Sequence, residues 1–204
     1  MAGKYIVIEG NDGTGKSTQV ELLSSYLREQ GIDTFVTHEP AGTPIADAIR
    51  TVIKDGNLER DPITNLLLFT AARHENWLIA SKRLDEGAWV ISARNYLSTE
   101  VYQGIGEGLG TELIHEVTRQ FTDERYMKPD HTFILTLSNE ERATRIQLRG
   151  PLDTPDTFES RDRQFQESLN QGYVTLGERY GFEMVDAGQP IEAVQSRIRS
   201  SLGI

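Results

Sequence analysis

The run Gly10-Asn11-Asp12-Gly13-Thr14-Gly15-Lys16-Ser17 has the residue types and the spacing to hold a polyphosphate. It satisfies G-x-x-x-x-G-K-[ST], a pattern whose glycines let backbone N–H groups wrap around phosphate oxygens without a Cβ in the way. Lys16 can neutralise β- and γ-phosphates, and the Ser17 hydroxyl can ligate Mg²⁺. A helix beginning near Lys16 would aim its positive N-terminal end at the same oxygens. Arginine supplies the other candidate chemistry. Arg94 follows an apolar strand-like run, where an unpaired guanidinium would be costly and where a planar fork suits a phosphate. Arg73 lies four residues after Phe69, so the two can share one face of a helix. Arg142, Arg145 and Arg149 are spaced i, i+3 and i+7, which also places them on one face.

These residues need a scaffold, and the hydrophobic pattern describes one. Short apolar runs at 5–8, 34–37, 89–92, 132–137 and 183–185 read as strands. Helical periodicity fills the intervals: from about 16 to Gly31, over 45–53, 63–84 and 111–121, from an Asn139 cap to about 148, and over 158–180 and 191–198. On the long segment 63–84, Leu66, Leu67, Phe69, Thr70 and Trp77 fall near the apolar side. The stretch 150–157, with its Pro and Asp residues, reads as a surface loop. Strand and helix alternate along the whole length, which predicts an α/β fold with a five-stranded parallel sheet flanked by helices and ligands at the carboxyl ends of the strands.

Bulk properties narrow the function. The 204 residues fit one domain, and 37% hydrophobic with 25% charged residues is enough for a buried core. No repeat or low-complexity linker divides the chain. The net charge of −10 argues against a general nucleic-acid or anionic-membrane surface, while a small anionic substrate needs only a local cluster of cations. There is no cysteine, so disulfides and thiolate metal sites are excluded and a cytoplasmic location is the expectation. The start of the chain has no signal-peptide pattern, and no apolar run approaches the ~18–20 residues that span a bilayer.

Several further segments carry a family resemblance. His38-Glu39-Pro40-Ala41-Gly42-Thr43-Pro44-Ile45 resembles the REPGGTPLG segment of thymidylate kinases. The run Leu67-Leu68-Phe69-Thr70-Ala71-Ala72-Arg73 resembles their LLFxAxR helix. Ala93-Arg94 with Ser98-Thr99-Glu100-Val101-Tyr102-Gln103-Gly104 resembles DR[YF]xxSxxAYQG, and Val185 to Ile191 resembles VDAxxxIE. The motifs keep the family's order and spacing over essentially the whole chain. The resemblance implies a P-loop kinase that phosphorylates dTMP to dTDP with ATP and Mg²⁺, usually as a homodimer; the 63–84 stretch could supply that surface. It implies that Arg94 binds the acceptor 5′-phosphate and that Arg73 reaches a thymine carbonyl or the phosphate. Phe69 should stack on the base, Thr99 should bond its edge with Gln103 close by, and Tyr102 should pack on the deoxyribose and disfavour a 2′-hydroxyl. Asp12 is placed for the sugar 3′-hydroxyl, Ser98 belongs to the same motif, and Glu39-Pro40 would line the mouth. On the ATP side it implies Gly10 through Thr18 together with Arg142 and Gln189, with Ser17 on the metal. Residues 142–160 correspond to the lid, from which Arg145 and Arg149 are expected to meet the transition-state charge, because Gly13 stands where some members place a loop arginine.

The sequence departs from the family at Ala93, where an Asp ordinarily helps hold Mg²⁺ through its water shell. Three explanations stay open at this point: an alanine introduced to trap a complex, a natural variant in which Asp12 or Glu159 takes over, or a loss of activity. His38 for Arg and Ala41 for Gly sit near the acceptor and bear on substrate choice. Asp156-Thr157-Phe158-Glu159 resembles DRFE without its arginine. The alternatives are another deoxynucleotide or deoxynucleoside kinase on the same fold, or a nucleotide-binding protein with little catalysis. The absence of an NKxD base-reading motif argues against a GTPase switch.

Overall fold

The computed structural model of the protein describes residues 2–150, 157–159 and 161–204, apart from the Arg149 side chain. Five strands, β1 (Tyr5–Glu9), β2 (Thr34–His38), β3 (Trp89–Ala93), β4 (His131–Thr136) and β5 (Glu183–Asp186), form one parallel sheet in the order β2-β3-β1-β4-β5. The central β1 is buried along its whole length, as expected of a strand covered on both faces. Its register sets Ile8 beside Ala93 and Glu9 beside Ile134, so the loops after β1 and β3 leave the sheet together.

Alternation along β1 divides the core. Ile6 and Ile8 pack with Val20, Leu23 and Leu27 of α1 (Lys16–Glu29) and with Val194, Ile198 and Leu202 of α9 (Ile191–Leu202). Tyr5 and Val7 face Trp77, Ala80 and Leu84 of α3 (Pro62–Asp85). Pro44 and Pro62 open α2 (Pro44–Lys54) and α3 behind Thr43 and Asp61, whose side chains accept from Ala46 N and Thr64 N. The chain after β3 makes a short α4 (Tyr96–Thr99) and then a π-helix, Glu100–Gly106, before α5 (Thr111–Phe121) and α6 (Glu124–Met127). The alternating pattern contains no signal for the π-helix, a form that recurs at functional sites.

Several boundaries differ from expectation. Ser138, not Asn139, caps α7 (Asn139–Arg149): its Oγ accepts from Glu141 N at 3.2 Å and donates to Glu141 Oε2 at 2.7 Å. The helix expected over 158–180 begins only at Arg163, because Asp162 caps α8 (Arg163–Tyr180) by accepting from Phe165 N at 2.8 Å. Phe158 lies in a turn before it and packs on Phe69 and Tyr102. Leu67, expected near the apolar side of its helix, is 58% exposed, and Ile63 and Leu78 on the same side are 44% and 56% exposed. Most of the loop expected over 150–157 lies outside the described residues. Among the described residues no helix is long and apolar enough to cross a membrane.

Candidate active site

The Gly10–Ser17 loop runs between β1 and α1, as its motif requires. Gly10 and Gly13 hold φ of 139° and 86°. A Cβ on Gly10 would fall 2.5 Å from the Leu135 carbonyl oxygen, so the close approach of the loop to β4 depends on glycine. Lys16 Nζ donates to the Asn11 carbonyl at 2.8 Å and lies 3.9 Å from Asp12. Burial, with the Arg94 charge acting in the same sense, pulls the Lys16 ammonium down to about 7 against the opposing charge of Asp12. Ser17 and Thr18 are exposed in the first turn of α1. A cleft of ≈ 320 Å³ beside this turn is lined by Gly13, Thr14, Gly15, Thr18, Arg145 and Gln189. Arg145 Nη2 donates to the Ala187 carbonyl at 2.8 Å, and Gln189 Nε2 donates to Asp186 at 2.9 Å. Arg142 turns inward against Gly13 and is 5% exposed, so it does not share the exposed position of Arg145.

A second cavity opens on the other side of Asp12. It is lined by Glu39, Pro40, Phe69, Arg94, Ser98, Thr99, Tyr102 and Gln103, all expected from the sequence, and by Ile53, Lys54 and Phe158, which were not. Arg94 stands at φ 74°, a left-handed conformation that costs a side-chain-bearing residue about 1–3 kcal/mol and therefore needs support. The support is dense. Its guanidinium pairs with Asp12 and donates to Ser98 Oγ and the Tyr173 hydroxyl, each at 2.8 Å. Burial works to raise the Asp12 pKa, but the charges of Arg94 and then Lys16 outweigh it and hold the carboxyl well below the usual range. Tyr102 OH donates to Asn11 Oδ1 at 3.1 Å and to Asp12 Oδ2 at 3.2 Å, tying the π-helix to the phosphate loop.

Arg73 does not line this cavity. It is 1% exposed and lies behind it. Its Nε donates to Glu39 Oε2 at 3.0 Å and to the Tyr126 hydroxyl at 2.9 Å, and its Nη2 donates to Thr99 Oγ1 at 2.6 Å. Burial pushes the Glu39 carboxyl up, opposed first by Arg73 and then by the Tyr126 hydrogen bond. Two buried atoms in this region have no partner, Arg73 Nη1 and Gln103 Oε1. Gln103 presents its oxygen because its Nε2 is engaged by Glu107 at 3.1 Å.

Sequence reasoning missed Glu9, Tyr126 and Tyr173. Glu9, fully buried at the end of β1, accepts from Asn95 N at 2.7 Å, Ser98 N at 3.1 Å and Ser98 Oγ at 2.8 Å, and so fixes the turn that carries Arg94. Its signal was a carboxylate ending an otherwise apolar strand. Tyr126 and Tyr173 read as ordinary core aromatics, and nothing in their spacing marks their hydroxyls. The Arg149 side chain and Asp156 lie outside the described residues.

The loop fits a nucleotide triphosphate. Beside Gly13, Arg142 keeps Nε and Nη1 buried without a partner, a donor surplus suited to anionic oxygens. Among the described residues no group of three or more His, Cys, Asp or Glu side chains is placed to hold a metal. Ala93, 6% exposed and flanked by Ile8 and His38, offers no oxygen from its side chain. The residues present thus fit an Mg²⁺ carried by the nucleotide's oxygens and water, with Ser17 Oγ as the protein ligand, the mode common for this ion.

Comparison with known proteins finds relatives over nearly the whole chain. A family model described as thymidylate kinase matches residues 8–198. The chain is 38% identical to the thymidylate kinase of Alkalilimnicola ehrlichii, over 98% of this chain and 92% of that one. It is 36% identical to that of Exiguobacterium sibiricum, over 97% and 93%. The crystal structure of thymidylate kinase from Ehrlichia chaffeensis superposes with a TM-score of 0.76 at 25% identity, covering 99% of both chains.

Proposed function

The chain belongs to the thymidylate kinase family, and from that premise we propose how its own side chains serve the transfer of a phosphoryl group from ATP to dTMP. The whole chain acts as one kinase domain, with 142–160 as its lid. ATP lies along the Gly10–Thr18 loop, with Gln189 and Arg142 beside it and Lys16 on the β- and γ-phosphates. dTMP enters the cavity between Phe69 and Tyr102. The observation that carries this reading is the placement of Arg94 and Asp12 between the two spaces. Arg94 is locked by four partners beside the phosphate loop, where an acceptor phosphate must lie for its oxygen to attack the γ-phosphorus of ATP in line.

The geometry supports the following acceptor contacts. Arg94 clamps the 5′-phosphate with a fork that Ser98, Tyr173 and Asp12 keep from drifting. Phe69 stacks on the base, and Thr99 stands at the base edge. Gln103 Oε1, an acceptor, complements the thymine ring N–H, and Arg73 Nη1, the donor behind Thr99 and Glu39, serves a thymine carbonyl once dTMP opens that wall. Tyr102 packs on the sugar and holds Asp12 near the 3′-hydroxyl. Arg145 and Arg149 close from the lid onto the transferred group and help exclude water. Mg²⁺ bound with ATP would neutralise charge between the β- and γ-phosphates, held by Ser17. The enzyme works as a homodimer in the cytoplasm, paired through the apolar side of α3.

Ala93 favours one second reading, a form slowed by weak metal retention. ADP formation from ATP and Mg²⁺ should be followed with dTMP, dUMP, dGMP, dCMP and thymidine, for this chain and for Ala93→Asp. Turnover restricted to dTMP in the unaltered chain is the expected result. Turnover of dTMP only in Ala93→Asp would make this chain the slowed form. Turnover of another acceptor in place of dTMP would overturn the substrate assignment.

A further inference from the structure

Tyr126 is 1% exposed and sits on the short α6, where Asp123 accepts from its N–H at 3.1 Å. Its ring lies among Tyr5, Trp77 and Tyr96, with centroids 5.9, 5.0 and 6.2 Å away. A phenylalanine would fill that space equally well. The hydroxyl does something the ring does not. It donates to Glu39 Oε1 and accepts from Arg73 Nε, so it closes a ring of charged hydrogen bonds with the Arg73–Glu39 pair. Tyr126 is not among the residues lining the acceptor cavity, whereas Glu39 and Thr99, the other partners of Arg73, are.

We propose that Tyr126 is a positioning residue for acceptor recognition. It holds the Arg73 guanidinium in the one orientation that leaves Nη1 unpaired behind the acceptor cavity. This rests on the reading of Arg73 as a ligand of the dTMP base. The physical argument is the number of donors and acceptors. A buried guanidinium has five N–H donors and turns to satisfy as many as it can. Glu39 alone could be met side-on or end-on. With Tyr126 OH on one Glu39 oxygen and against Nε, and with Thr99 on Nη2, rotation breaks charged hydrogen bonds in a site without water to replace them. Nη1 is the one guanidinium nitrogen left with no partner among the described residues.

Tyr126→Phe removes the hydroxyl and keeps the ring. The expected result is a KM for dTMP raised about tenfold, the scale of one charged hydrogen bond, with kcat changed less than about twofold and KM for ATP unchanged. A purely structural role would lower the melting temperature without splitting KM from kcat. A cycle with Arg73→Lys identifies the route: the double variant should be no worse for dTMP than Arg73→Lys alone, since Tyr126 acts through Arg73. Additive losses would overturn the proposal, as would an unchanged KM in Tyr126→Phe. Turnover of another acceptor in place of dTMP would sink both the substrate reading and this one, whereas normal dTMP turnover with an unmoved KM sinks this one alone.

Discussion

Single residues decide the chemistry here, and Lys16 shows how. Its ammonium is buried at 8% exposure and titrates near 7, because burial and Arg94 outweigh Asp12. Nucleotide phosphates would restore the charged form, so the bound state holds its proton to higher pH than the free state. The contribution of Lys16 to ATP affinity is then complete below about pH 7, declines above it and is lost as pH passes the higher value of the bound state, with a proton taken up on binding. Calorimetry at pH 8 in two buffers of different ionisation enthalpy should give different heats; identical heats would refute it. Lys16 was legible in the sequence because a motif prescribes it, and so was Arg94, whose position after an apolar strand demands a partner. The partners themselves were not. Glu9, Tyr126 and Tyr173 reach the site from β1, α6 and α8 through contacts across 53–89 positions of chain, and nothing in local spacing encodes such meetings.

Elements carry those residues, and the π-helix Glu100–Gly106 carries several of them. It presents Tyr102 and Gln103 to the acceptor cavity on one side and buries Glu100 on the other. Burial pushes the Glu100 carboxyl up to about 7 from an ordinary 4.5, against the Tyr180 hydrogen bond and the Arg179 charge. Glu112, His115 and Tyr96 also face it, and Oε2 has no partner. The folded state therefore holds this proton more tightly than the unfolded one. The associated stability is present in full below about pH 4.5 and is lost as pH rises through about 7. Glu100→Gln should melt a few degrees higher than the unaltered chain at pH 8, at about 2–4 °C per kcal/mol for this size, with no gain at pH 5. Equal melting at pH 8 would count against it. The strands and the major helices were readable because burial on both faces leaves continuous apolar runs and α-helices repeat every 3.6 residues. The start of α8 was misread because Phe158 continues the apolar rhythm across a turn, and only the Asp162 cap marks the boundary.

At the scale of the whole molecule, Ile63, Leu67 and Leu78 leave an apolar stripe on α3, beside His74 and the half-exposed Phe121, whose carbonyl lies 2.8 Å from His74 Nδ1. A subunit contact would cover it. On the proposed pairing through α3 the unaltered chain should sediment as a dimer and Leu67→Glu as a monomer, since a buried unpaired charge is costly; a monomeric unaltered chain, or a dimer that survives Leu67→Glu, would refute that pairing. The helix opposite that stripe borders the acceptor cavity, whose free volume of ≈ 90 Å³ is below the ~300–1,000 Å³ of sites that enclose a ligand. Part of the missing room is taken by the Asp12–Arg94 pair. On the proposed reading Asp12 is a tethered decoy for the phosphate, since a group on the same chain already occupies Arg94. Stray inorganic phosphate, with one anchoring point, loses that contest. A nucleotide that also spends its base and sugar on the walls wins it, and the clamp is surrendered only to a guest that fits at both ends.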